Sequence, residues 1–237
     1  MERSDFIYGR KVFIDFLKGK RSVIKVYLTE PAFRRLRSDI NRVRIPHEIV
    51  GKDVLFKLSG RRDHQGVVAF VSSFRYVMLD EFLGEGVCRL VLLDRITDVR
   101  NTGSIIRSAY LLGFDGVIIS ERGGAKVTPA VVHTSACATE FIPIHLTHSV
   151  PDTLDVLKRE GFYVFCADMS GAPLNEITSY PKRVVLVLGS EGKGHRVSVL
   201  SRCDALISVP QRGEIDSLNV SVAAGIIMHD MVNKGMR

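Results

Sequence analysis

Ala205-Leu-Ile-Ser-Val-Pro-Gln-Arg-Gly-Glu-Ile-Asp-Ser-Leu-Asn-Val-Ser-Val-Ala-Ala-Gly225 is the stretch on which the reading of the chain turns. Its first five residues form a short apolar run that suits a buried strand, and Pro210 and Gly213 end that strand in an irregular loop. Leu218, Val222, Ala223, Ile226, Ile227 and Val232 follow at helical spacing and predict a helix, of which Ser217 is the N-cap in the plainer of two readings. A polar loop between the carboxyl end of a strand and a helix is where open α/β sheets bind ligands. Taken alone, the stretch reads equally as an ordinary strand–loop–helix connection, so its neighbours must decide.

The 237 residues, 46% hydrophobic and 25% charged, suit one sizeable core or two smaller ones. No apolar run reaches the ~18 residues that a membrane span needs. The start, Met1-Glu-Arg-Ser-Asp-Phe6, lacks the pattern of a secretory signal, so a cytoplasmic protein without a membrane partner is expected. Cys88, Cys137, Cys166 and Cys203 lie far apart, and the histidines are not clustered, which argues against a metal site. Three of the cysteines sit in apolar runs that suit reduced core thiols. Charge is unevenly placed. Residues 1–77 carry 17 Lys+Arg against 8 Asp+Glu, whereas residues 78–237 carry 16 against 18. A basic first module on a near-neutral second one points to a polyanionic partner for the first.

Residues 7–19 place Val12, Phe13, Phe16 and Leu17 at helical spacing, ending at Gly19. Strand Ser22–Leu28, a basic helix from Pro31 to about Arg42, strand Ile45–Val50, helix Asp53–Leu58 and strand Gly66–Val71 follow. These make a small α/β domain over residues 1–74. Arg34 and Arg35 in the basic helix, and Arg61 and Arg62 in the loop between Leu58 and Gly66, are candidates to grip phosphates, with His64 and Gln65 reading base or ribose edges. Residues 75–87 read as a linker. From 88 to 237, strands Cys88–Asp94, Gly116–Ile119, Ile142–Leu146, Phe162–Cys166, Val184–Leu188 and Ala205–Val209 alternate with helices. That alternation predicts a parallel sheet covered on both faces.

Three polar clusters follow strands of that sheet. The first, Asp98 to Ala109, holds Asn101, read as an N-cap, Gly103 and Arg107 off the apolar stripe. The second is Leu188-Gly-Ser-Glu-Gly-Lys-Gly-His195, where three glycines in six residues bring backbone close to a partner and Glu191 offers a carboxylate. It satisfies neither the Walker spacing nor Gly-x-Gly-x-x-Gly. The third is the opening stretch. No Cys, His or Lys among them is poised as a nucleophile. The residues alone give an α/β enzyme or binding protein with a basic module facing RNA or DNA.

Taken in order, the three clusters resemble the motifs of the SpoU/TrmH family, the knotted (SPOUT) RNA 2′-O-ribose methyltransferases. Asn101, Gly103, Arg107 and Ala109 match the first motif, Gly189, Glu191, Gly192 and Gly194 the second, and Pro210, Gly213 and Ser217 to Ser221 the third. Ile7-Tyr-Gly-Arg10 and His64-Gln-Gly-Val67 resemble the substrate-binding domain of the RlmB-type branch, which adds Arg10 to the RNA-facing candidates. Val99 departs from the proline that relatives commonly carry there.

The resemblance implies a deep trefoil knot in the C-terminal parallel-sheet domain, a homodimer, no metal, and S-adenosylmethionine as cofactor. Leu188, Gly189, Gly192, Val209, Pro210 and Leu218 would hold that cofactor. Arg107 is implied as the base or ribose-activating group, with Asn101, Glu191, Ser217 and Asn219 orienting it, the ribose and the cofactor. Arginine side chains hold their proton to above pH ~12, so a charged group that binds the target phosphate and stabilises a 2′-oxyanion fits equally. The expected activity is RNA 2′-O-methylation, foremost on a guanosine of 23S ribosomal RNA. A tRNA methyltransferase of the same family and a non-catalytic RNA-binding or ribosome-assembly protein are the alternatives.

Overall fold

The structure is a computed structural model, and it describes residues 5–86, 88–190, 194–213 and 217–234. Two compact units make up the chain. The first comprises residues 1–75 with Val127–Phe141, and the second Tyr76–Lys126 with Ile142–Arg237.

In the first unit, strands β1 (Asp5–Tyr8), β2 (Val23–Leu28), β3 (His47–Ile49) and β4 (Val67–Val71) form a sheet in the order β1-β4-β2-β3. β4 runs antiparallel to β1 and β2, and β3 lies parallel to β2. Helices α1 (Arg10–Phe16), α2 (Glu30–Val43) and α3 (Lys52–Ser59) connect them. The helical spacing from residue 7 misses β1. Ile7 and Tyr8 pair with β4, and Gly9, at φ 97°, turns the chain into α1. Phe13 and Phe16 from α1, Leu36 and Ile40 from α2, and Val26 and Leu28 from β2 close one apolar core.

Helix α5 (Pro129–Thr134) joins that core rather than the one its sequence position suggests. Val132 and Cys137 pack with Phe13 and Phe16, and His133 stacks on Tyr8 at 4.4 Å. The nearly buried Glu140 accepts from the Arg21 guanidinium at 2.7 Å and 2.9 Å. The expected division at residues 74 and 88 therefore differs from the packing. An apolar helix face shows that it must be buried, not which core will bury it.

The second unit holds a six-stranded, all-parallel sheet in the order β10-β8-β9-β5-β6-β7. Its strands are β5 (Arg89–Leu93), β6 (Gly116–Ser120), β7 (Ile144–Thr147), β8 (Tyr163–Pro173), β9 (Val184–Leu188) and β10 (Ala205–Ser208). β9, β6 and all but the first residue of β5 are buried, as strands covered on both faces must be. Helices α4 (Val99–Leu111), α6 (Val150–Arg159), α7 (Val197–Leu200) and α8 (Val220–Asn233) complete the α/β architecture expected from the alternation.

Part of the expected linker belongs to this unit. Leu79–Phe82 forms a turn of 3-10 helix, and Phe82 is buried against Leu90, Leu92 and Ile118. A second difference concerns thiols. Cys166 and Cys203, 37 residues apart, are joined as a disulfide across a Cα separation of 6.0 Å, whereas Cys88 and Cys137 remain free. Apolar flanks predict burial of a cysteine but carry no information about its neighbour. Among the described residues, no helix is long and apolar enough to cross a membrane, and no three acidic, His or Cys side chains cluster to hold a metal.

Candidate active site

The carboxyl ends of β8, β9 and β10 carry the site. β10 pairs in register with β8 through Leu206 and Cys166, then shifts so that Ile207 faces Ala172. The residues skipped by that shift, 167–171, leave the ladder, and Ala167, Asp168 and Met169 turn into the wall of a cavity of about 280 Å³. Two features force the bulge. Asp168 accepts the backbone N–H and hydroxyl of Ser170 at 3.0 Å and 2.7 Å, closing a local turn. Gly171 brings its backbone so close to β10 that a Cβ would lie 2.4 Å from Ile207 N and Leu206 C. The hydrogen bonds from Ser170 hold the Asp168 carboxyl below the usual carboxylate range, so it is ionised at neutral pH.

Leu188, Gly189, Val209 and Leu218, four of the six residues expected around a cofactor, line this cavity together with Ser217, Ile207, Ala223 and Ile227. Pro210 is exposed and does not line it, because the wall ends at the backbone of Val209 and resumes at Gln211. Gly192 and the candidate catalytic Glu191 lie outside the described residues. Gly189 is confined by His195, whose Nδ1 would sit 3.0 Å from a Cβ there. His195 donates from Nε2 to the carbonyl of Ala167 at 2.8 Å, which leaves Nδ1 as an acceptor. That Nδ1 and the hydroxyl of Ser190 are buried without a partner among the described residues, and both residues line the cavity. Buried polar atoms need a hydrogen-bonding partner, which a polar ligand can supply.

A second hollow, lined by Arg95, Ile96, Thr97, Asp98, Asn101, Gly123 and Ser190, shares Ser190 with the first. Asn219 ties the two sequence clusters together, its Nδ2 donating to Asn101 Oδ1 at 3.0 Å. The direction is set by Ser221, whose N–H and hydroxyl both donate to Asn219 Oδ1, at 2.9 Å and 2.6 Å. Asn219, not Ser217, is therefore the N-cap of α8. Likewise Asp98, not Asn101, caps α4, accepting from the N–H groups of Arg100 and Asn101. With Asp98 and Asn219 as the caps, Asn101 and Ser217 are left for other work. Sequence reading placed both caps wrongly because Asp98/Asn101 and Ser217/Asn219 are all good capping types.

Arg107 is exposed on α4, about one and two-thirds turns beyond Asn101. Below the site, the fully buried Asp94 at the end of β5 accepts from Arg196 at 2.8 Å and fixes the chain just after the second cluster. Ala167, Asp168, Met169, His195 and Asp94 escaped sequence reading. The Asp168-Met-Ser-Gly171 turn was the one available signal, since it interrupts an otherwise strand-like run.

In the first unit, Arg10, Arg35, Arg62, His64 and Gln65 line one cavity of about 360 Å³. Arg34 and Arg61 do not. Arg34 pairs with Glu30 at 2.9 Å, and Arg61 lies over the Tyr8 ring, 5.7 Å from its centroid.

Residues 89–229 match the SpoU rRNA methylase family, and residues 6–77 match a family described as RNA 2′-O ribose methyltransferase substrate binding. YacO of Bacillus subtilis (strain 168), named as a TrmH family tRNA/rRNA methyltransferase, is 30% identical over 98% of this chain and 97% of its own. A Staphylococcus aureus (strain COL) protein of the same designation is 36% identical over 72% of this chain and 71% of its own. The AdoMet-bound rRNA methyltransferase of Sinorhizobium meliloti superposes with a TM-score of 0.81 at 27% identity, covering 96% of this chain and 86% of that one. The SpoU methyltransferase AviRb of Streptomyces viridochromogenes, at 24% identity and a TM-score of 0.82 over 98% of this chain and 90% of that one, shares the fold. With a family match spanning all six strands of the sheet and all three polar clusters, the chain belongs to the SpoU/TrmH family of RNA methyltransferases.

Proposed function

We propose that the protein transfers a methyl group from S-adenosylmethionine to a ribose 2′-oxygen of RNA, on a guanosine of 23S ribosomal RNA. The observation that carries this reading is the cavity at the ends of β8, β9 and β10, adjoining the Asn101–Asn219 pair. Its volume is near the lower end of the roughly 300–1,000 Å³ of small-molecule sites. Its wall suits the cofactor. Leu188, Ile207, Val209, Leu218 and Ile227 offer apolar surface, His195 Nδ1 and Ser190 Oγ have no partner among the described residues, and the ionised Asp168 favours a cationic guest. When bound, S-adenosylmethionine supplies a methyl group already activated by a positive sulfur. Gly192 and Pro210 complete the proposed cofactor loops, and the trefoil knot is proposed on family membership.

What remains for the chain is positioning and charge. Asn219 and Asn101 form a fixed amide pair beside the cavity, and Ser217 stands on its rim. Glu191 is proposed as the carboxylate that orients Arg107. Arg107 is assigned to the target phosphate and the developing 2′-oxyanion, a role that an exposed, solvated guanidinium performs without losing its proton. Exposed Tyr110 and Leu111 on α4 and Val222 and Ile226 on α8, two helices packed on one another, favour a homodimer whose second copy completes the site.

Calorimetry with S-adenosylmethionine and tritium transfer to unmodified ribosomal RNA test the reading. Micromolar binding and transfer to a ribose 2′-position are expected, with Arg107→Ala lowering transfer at least 100-fold. A near-wild-type Arg107→Ala sinks the assigned role. A pH–rate profile of Arg107→Lys separates the base from the oxyanion role, because only a base shifts the ascending limb with its own pKa. Failure to bind the cofactor favours the non-catalytic RNA-binding alternative. Transfer confined to tRNA favours the tRNA reading, which the tRNA/rRNA designation of the relatives keeps in view.

A further inference from the structure

The cavity of the first unit has an unusual charge. Arg10, Arg35, Lys52 and Arg62 all line it, and among the described residues no carboxylate does. Elsewhere in the unit some basic side chains are paired, Arg34 with Glu30, Arg42 with Asp39, Lys25 with Glu48 and Arg21 with Glu140. None of the four around the cavity makes an ion pair among the described residues. Four cations without a carboxylate partner around one hollow repel each other, so an anionic guest stabilises the arrangement; of the four, Arg62 also lies over the Phe56 ring, 5.6 Å from its centroid. The N-terminus of α2, a helix of 14 residues, opens on the same hollow through Thr29, Pro31 and Ala32. Its first-turn N–H groups add positive potential, and the Thr29 hydroxyl caps none of them.

Depth separates two kinds of group. Arg35, Lys52, Arg62 and Gln65 are exposed at the rim, whereas Thr29, Ala32, His64 and Gly66 are buried at the floor. His64 is 5% exposed, and its Nδ1 accepts the Gly66 N–H at 2.9 Å, so the neutral ring carries its proton on Nε2 as a donor. Gln65 holds this floor at the cost of a left-handed backbone, φ 50°, rare for a residue with a Cβ. Its Oε1 accepts the Arg10 N–H at 3.2 Å, which leaves the amide NH₂ to donate. The backbone of a duplex touches a rim but cannot send a stacked base to a floor. An unpaired nucleotide can do both.

We infer that this cavity takes one unpaired nucleotide of the RNA. Its base or ribose edge meets Thr29, His64 and Gln65, and the flanking phosphates meet Arg10, Arg35, Lys52 and Arg62. The inference rests on RNA being the substrate and deepens that reading: the first unit selects looped over paired RNA, with Lys52 and Thr29 as further binding residues.

The test is anisotropy of the full-length protein with two labelled RNAs of equal length, a hairpin with a seven-nucleotide loop and a blunt duplex. The hairpin is expected to bind at least 10-fold more tightly. His64→Ala and the near-isosteric Thr29→Val are each expected to weaken the hairpin about 5- to 20-fold and leave the duplex unchanged. Lys52→Ala with Arg62→Ala weakens both RNAs and lowers the slope of log K against log salt by roughly 1.5, as for two lost phosphate contacts. Equal affinity for the two RNAs, or equal losses on both in a folded Thr29→Val, overturns the inference. Cofactor calorimetry on the same samples distinguishes failures. If S-adenosylmethionine binds while loop preference is missing, this inference fails and the proposed activity stands.

Discussion

Asn219 has two jobs that substitution can pull apart. Its Oδ1 caps α8 and its Nδ2 holds Asn101. Asn219→Ala should lose both, at about 1 kcal/mol of stability for the cap. Asn219→Ser should keep most of the cap, since a hydroxyl accepts from the helix as well, yet supply no arm to reach Asn101. Chemical denaturation with methyl-transfer assays on both variants checks this. Stability restored in Ser with activity still low is the expected result, and parallel recovery of both would reduce Asn219 to a cap. At this scale the residue types were legible in the sequence and their division of labour was not. Asp98 and Asn101, or Ser217 and Asn219, are chemically interchangeable as caps. Which of each pair is used depends on where the helix begins.

Among elements, α4 shows how a local choice sets up the site. The Asp98 carboxylate accepts from Arg100 and Asn101, and the hydrogen bond from the Arg100 side chain, followed by that from its backbone, lowers its pKa. A carboxyl whose pKa is depressed by folding stabilises the fold above its unfolded value of about 4 and loses that contribution as pH falls through the folded value. Asp98→Ala should therefore cost about 1 kcal/mol at pH 7. The gap to the parent should narrow in urea titrations as pH falls below about 4 and through the lowered folded value. A constant gap would exclude the carboxylate as its source. β8 is the element that sequence periodicity handled least well. It continues past Cys166 to Pro173, and its excursion at 167–171 builds a wall of the cavity. Gly171→Ala sets a Cβ against β10 backbone that cannot yield, and should destabilise by roughly 2–4 kcal/mol. Thermal unfolding and cofactor affinity should fall together, and an unchanged affinity would detach the bulge from the cavity. The terminal helix is held at its far end by Tyr180, buried and donating to Asp230 at 2.6 Å, with Lys234 on the same carboxylate.

For the whole molecule, the apolar faces of α4 and α8 carry the expectation of a dimer. Leu111 is 68% exposed and Val222 50%, a cost that a monomer has no reason to bear on packed helices. Light scattering should give the mass of two chains. Leu111→Glu should give one chain with the fold intact and methyl transfer strongly reduced, and full activity in such a monomer would place the whole site within one copy. The division into units belongs to this scale too. Residues 127–141 leave the second unit's sequence range to complete the first unit's core, with Arg21–Glu140 as a buried tie.

Strand–helix alternation and continuous apolar strands were enough to specify the α/β class and the parallel sheet, because both are written in local spacing, and the three ordered polar clusters carried the resemblance to the family. The pairing of Asn101 with Asn219, the bulge of β8, the contact between Cys166 and Cys203, and the placing of α5 all join residues far apart in the chain. So does the sorting of five basic-module residues into one cavity while Arg34 and Arg61 turn elsewhere. Periodicity states which faces must be buried and which side chains are polar. The partners are chosen by packing, where burial of the same apolar face can be satisfied by more than one core.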